Sequence, residues 1–75
     1  MQTFKKGDVV KLYVPHEVPV TVRVDGVTEY PDRWRVSFYP AQLSYASMWD
    51  WCWIYKPGHE PSAHTVKAET ITEAQ

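Results

Sequence analysis

A single cysteine, Cys52, stands in the whole chain. That excludes an internal disulfide and predicts a reducing compartment. Glycine is scarce as well: Gly7, Gly26 and Gly58 are the three present, too far apart in sequence for a glycine-rich loop that cradles phosphate. No apolar run approaches the length that crosses a bilayer, and residues 1–6 lack the apolar stretch and cleavage site of a secretory leader. The expected setting is therefore cytoplasmic, with no membrane partner. Neither sign of charge dominates. Eight Lys and Arg stand against nine Asp and Glu, for a net charge of −1, which argues against a general nucleic-acid binder. Residues 1–39 hold six basic and five acidic side chains, and residues 40–75 hold two basic and four acidic, a slight lean rather than a basic tail. Internal repeats, low-complexity stretches and long linkers are missing too. The 75 residues are read as one domain, 1–75, near the lower limit for folding on a hydrophobic core alone.

What the chain has in quantity is aromatic residues, four Trp, five Tyr and two Phe, and strand patterning. Residues 9–14 place Val10, Leu12 and Val14 on one face. Residues 18–24 alternate strictly, with Val18, Val20, Val22 and Val24 on one side. Asp25-Gly26 predicts a bulge or bend, and Tyr30-Pro31-Asp32-Arg33 a turn. The return strand, 34–39, sets Trp34, Val36 and Phe38 against Arg35, Ser37 and Tyr39, giving an antiparallel hairpin. Residues 40–48 read as a helical turn or a mobile loop. Further on, residues 56–61 are turn-rich, 65–68 form a strand, Glu69-Thr70 a tight turn and 71–74 a short closing strand. Five short strands and no long helix predict an all-β, five-stranded antiparallel barrel, whose closure would remove exposed edges.

Trp49-Asp50-Trp51-Cys52-Trp53-Ile54-Tyr55 is the most informative segment. As a strand it puts Trp49, Trp51, Trp53 and Tyr55 in one row and Asp50, Cys52 and Ile54 on the other face. Three tryptophans present on the order of 600 Å² of contact area, more than a soluble monomer commonly leaves wet without a use for it. Core and contact surface are both open readings of the row. Val10, Leu12, Val14, the four valines of strand two, Trp34, Val36, Phe38, Cys52 and Ile54 already supply an interior, which favours the surface.

The opening Phe4-x-x-Gly7-Asp8-x-Val10-x-Leu12 resembles the first strand of many SH3-like barrels. Gly7-Asp8-Val9-Val10-Lys11-Leu12 followed by Pro19-Val20-Thr21-Val22 is similar to the small bacterial YodC-like proteins, which open with a Gly-Asp-x-Val-x-Leu run and a Pro-x-x-Thr-Val strand. The resemblance implies a small SH3-like barrel and covers about a quarter of the chain. The proline-to-threonine spacing is one residue shorter here, the paired glycines are missing, and Cys52-Trp53 echoes that family's later Cys-x-Trp.

The expected function is a non-enzymatic binding module whose aromatic face engages a protein partner as inhibitor or adaptor. Trp49, Trp51, Trp53 and Tyr55 make the face, Tyr39 and Tyr45 extend it, and Arg33, Arg35 or Asp50 orient the partner at its rim. A second copy of the chain is one such partner. A small chain of this kind would suit a phage or mobile element acting on a host target. The alternative is nucleic acid, held by Lys11, Arg23, Arg33 and Arg35 with aromatic stacking, although Asp25, Glu29 and Asp32 weaken that field. Catalysis and metal binding find little support. Carboxylates are scattered singly, and Cys52 on a strand between tryptophans reads as a small buried apolar residue. His16, His59, Glu60 and His64 include no close-spaced ligand pair of the kind a zinc site uses. No cofactor and no metal are expected.

Overall fold

The computed structural model describes residues 3–39 and 51–74. It is all-β, with β1 Val9–Tyr13, β2 Val20–Glu29, β3 Arg33–Phe38, β4 Trp51–Tyr55 and β5 Lys67–Thr72. All pairings are antiparallel in one sheet of order β4-β3-β2-β1-β5. The expected barrel is corrected here to an open sheet. β4 and β5 end the sheet and approach each other without sharing a ladder.

β2 explains the shape. Its first half pairs with β1, Leu12 opposite Val20 and Val9 opposite Arg23. Its second half pairs with β3, Glu29 opposite Trp34 and Val24 opposite Phe38. The register shifts between Val24 and Gly26, where Asp25-Gly26 predicts a bulge. An extra residue bends a strand and sharpens its twist, so one ten-residue strand serves two ladders. Gly26 also lets β3 come close: a Cβ there would meet Ser37 Oγ at 3.0 Å, and that hydroxyl donates to the Gly26 carbonyl at 3.3 Å.

Alternation does the rest. Val10 and Leu12, Val22 and Val24, Trp34, Val36 and Phe38, and Ile54 turn to one side and bury, joined by Phe4 from the leading segment. Each such side chain contributes roughly 1.5–3 kcal/mol on transfer from water. Phe4 meets Trp34 edge-on, with ring centroids 5.1 Å apart. Two expectations fail. Val18 is 75% exposed because β2 begins at Val20, after Pro19, whose missing N–H suits the residue before a ladder better than one within it. Glu69-Thr70 is not a turn. Both lie within β5, opposite Lys11 and Val10, since β1 offers a continuous partner and ladder hydrogen bonds outweigh weak local turn preference.

Asp8 locks the entry to β1. It is 2% exposed, and its Oδ2 accepts from the Lys5 amide at 3.0 Å while Oδ1 accepts from the Ala74 amide at 2.7 Å. Its own amide donates to the Lys5 carbonyl, and its carbonyl accepts from Val24. Gly7 makes this turn possible at φ 96°, and a Cβ on it would lie 3.1 Å from that of Ala74.

Candidate functional site

The register of β3 and β4 decides which side the tryptophans occupy. Trp34 stands opposite Ile54 and Val36 opposite Cys52, the core-facing pairs. Arg33 stands opposite Tyr55, Arg35 opposite Trp53 and Ser37 opposite Trp51. Directly opposed residues share a face and successive residues alternate. Arg33, Arg35, Trp51, Trp53 and Tyr55 therefore occupy the outer face, away from the core. Trp51 is 37% exposed, and Trp53 and Tyr55 are half-buried.

The guanidiniums do not stand over their direct partners but over the diagonal ones. Arg33 Cζ lies 4.3 Å from the ring centroid of Trp53, and Arg35 Cζ lies 4.3 Å from that of Trp51. Diagonal neighbours in an antiparallel pair fall within reach of long side chains, and a guanidinium over an indole contributes roughly 0.5–1 kcal/mol at an exposed site. The two indoles meet edge-to-face at 5.4 Å and 90°. Tyr30 closes the hairpin end of the row, 5.7 Å from Trp53, with the Arg33 guanidinium 5.8 Å from its ring. The result is a plate in which aromatic rings and cations alternate.

Other expected residues fall less centrally. Tyr39, exposed, follows β3 at the far end of the same row, where the Arg23 guanidinium lies 6.0 Å from its ring. Its amide donates to the Arg23 carbonyl at 3.1 Å. Trp49, Tyr45 and Asp50, together with the expectation for residues 40–48, lie outside the described residues. Tyr30 is the contributor that sequence reasoning overlooks. Its place before Pro31 marks it as a turn residue, and only the cross-strand register brings β4 beside it.

Charges around the plate are partly paired. Arg33 Nη1 reaches Asp32 Oδ2 at 3.4 Å. Just past β4, Lys56 donates to Glu29 at 2.6 Å while its ammonium covers the ring of Trp34 at 5.2 Å. Arg35 has no ion-pair partner among the described residues. Beneath the plate, burial pushes the Cys52 thiol from its ordinary 9.0 up to about 12, leaving it protonated and a poor nucleophile at neutral pH.

His16 and His64 come together although they stand 48 positions apart in sequence, their rings stacked at 5.9 Å and 23°. His16 adopts φ 66°. The carboxyl of Glu60 is held below the usual range, chiefly by its own backbone amide, with Gly58, Lys67 and His59 adding to the effect against some desolvation. Among the described residues, no three His, Cys, Asp or Glu are grouped to hold a metal ion. No helix among them is long and apolar enough to cross a membrane.

No family model, curated protein or solved structure matches the chain.

Proposed function

We propose that the protein is a non-enzymatic binding module that engages a protein partner through the outer face of β3 and β4, as an inhibitor or adaptor. One observation carries this reading: Arg33 and Arg35 stack on Trp53 and Trp51, on the face opposite the core. Tryptophan, tyrosine and arginine are the residue types that dominate the energetics of protein interfaces. Here they are already ordered by one another, which lowers the entropy cost of docking. The protonated, half-buried Cys52 supports a non-catalytic role. We also read the open sheet as a relative of the SH3-like barrels, and kinship with YodC-like proteins remains part of this proposal through Gly7-Asp8-Val9-Val10-Lys11-Leu12.

The test is a paired pull-down with wild type, Trp51→Ala and, from a different part of the outer surface, Tyr13→Ala. Proteins retained by wild type and Tyr13→Ala should be lost with Trp51→Ala, while circular dichroism shows the fold unchanged. Unfolding of Trp51→Ala, or equal retention by all three, would sink the reading.

Nucleic acid is the second reading, favoured by the same two arginines flanking indoles, with Arg23 also outward-facing on β2. It predicts oligonucleotide binding that weakens steeply with salt and is lost with Arg33→Ala or Arg35→Ala. Salt-insensitive binding would count against it.

A further inference from the structure

We infer that the partner docks as an extended acidic segment carrying carboxylates at alternate positions, one over Arg35 and one over Arg33. This rests on the protein-binding reading of the plate. Stacking occupies the flat face of a guanidinium and leaves the N–H donors along its edge, the arrangement that receives a carboxylate bidentately. The Arg33 Nε is buried and has no hydrogen-bond partner among the described residues, so Arg35 is the better placed of the two. Arg35 has no carboxylate partner among the described residues, whereas Arg33 has the neighbouring Asp32 at 3.4 Å. The plate thus holds two cations seated on rings, one of them with no ion pair among the described residues.

Spacing selects the shape of the partner. Arg33 and Arg35 are two residues apart on β3, and the indoles beneath them are two apart on β4. That repeat is about 6.6 Å along a strand. An extended peptide has the same repeat, so acidic side chains at i and i+2 fall in register with both guanidiniums, and the indole edges pack against the backbone between them. A helix puts residues i and i+2 on different faces and cannot make this match. Single-stranded nucleic acid has anionic spacing too, but it gains most by stacking bases on open ring faces. Here each indole already has a guanidinium over one face, and Asp32 adds repulsion toward phosphate.

The test follows the indole N–H signals of Trp51 and Trp53 by NMR with four probes. These are a synthetic peptide alternating aspartate with threonine, a peptide of equal composition with its aspartates in one block, the alternating peptide with asparagine for aspartate, and oligothymidylate. The alternating acidic peptide should shift both signals. The blocked and asparagine peptides should bind about tenfold more weakly, the size expected for losing a charge-assisted bidentate pair. Arg35→Gln should cost the alternating peptide about tenfold, Arg33→Gln less because Asp32 already neutralises it, and Arg35→Lys an intermediate amount. Equal binding of the asparagine peptide with the same indole shifts would overturn the acidic preference and leave the binding face standing. Tighter, salt-sensitive binding of oligothymidylate would overturn it in favour of nucleic acid. Silence from all peptides would also overturn it, and the pull-down would then judge the face alone.

Discussion

Asp8 shows how much one side chain can be asked to hold. Both carboxylate oxygens accept from backbone amides, those of Lys5 and Ala74, in a site closed to water. Asparagine is nearly the same size but has one acceptor and one donor end, so in either orientation an N–H would face an N–H. Asp8→Asn should therefore destabilise the protein by about 1–3 kcal/mol, read as a lower midpoint in urea unfolding. A wild-type midpoint would mean that the clasp is dispensable. Cys52 makes a second prediction at this scale. Its thiol ionises near 12 when folded and near 9.0 when free, so above pH 9 the unfolded chain loses its proton first and stability falls as pH rises toward 12. At pH 10 that loss is about 1.4 kcal/mol. Cys52→Ala should lack this part of the alkaline decline, measured as the difference between unfolding free energies at pH 7 and pH 10. Parallel declines in the two proteins would refute it.

Among the elements, β1, β2 and β3 are each paired on both sides. Leu12, fully buried, faces Val20 on one neighbour and Ala68 on the other, so its removal opens a void against both. Leu12→Ala should cost about 2–5 kcal/mol, enough to leave a chain of this size largely unfolded, which circular dichroism would report. What the sequence makes readable here is local. Val20, Val22 and Val24 alternate, Asp25-Gly26 marks the bulge, and Pro31 marks the hairpin, because period and turn chemistry are properties of adjacent residues. What it hides depends on partners. The straight run of β5 through Glu69-Thr70 is imposed by β1, and Val18 stays wet because its ladder starts two residues later. The same holds for the candidate site. A strand places Trp51, Trp53 and Tyr55 in one row from sequence alone. The seating of Arg35 on Trp51 rather than on its direct partner Trp53 needs the register of two strands, and so does Tyr30 at the row's end.

Across the whole molecule, an open sheet with a bulged central strand replaces the closed barrel that the strand count suggests. Both ladders meet in β2, so the core on one side and the arginine–tryptophan plate on the other share one scaffold. The plate is thus tied to the most buried part of the sheet rather than to a loop, and its geometry follows core packing. The Asp8 clasp acts at this scale as well. Ala74 is bonded to a residue at the entry to β1, and its Cβ would lie 3.1 Å from a Cβ built on Gly7. The start and finish of the described sheet are therefore neighbours in space, while Gly58, at φ 85° with nothing within 4 Å of where a Cβ would sit, lies in an exposed turn between β4 and β5. The order in which the strands are synthesised is then nearly arbitrary: a circular permutant, sealed beside Asp8 and cut open at Gly58, would keep every ladder and carry the plate on a chain that begins between β4 and β5.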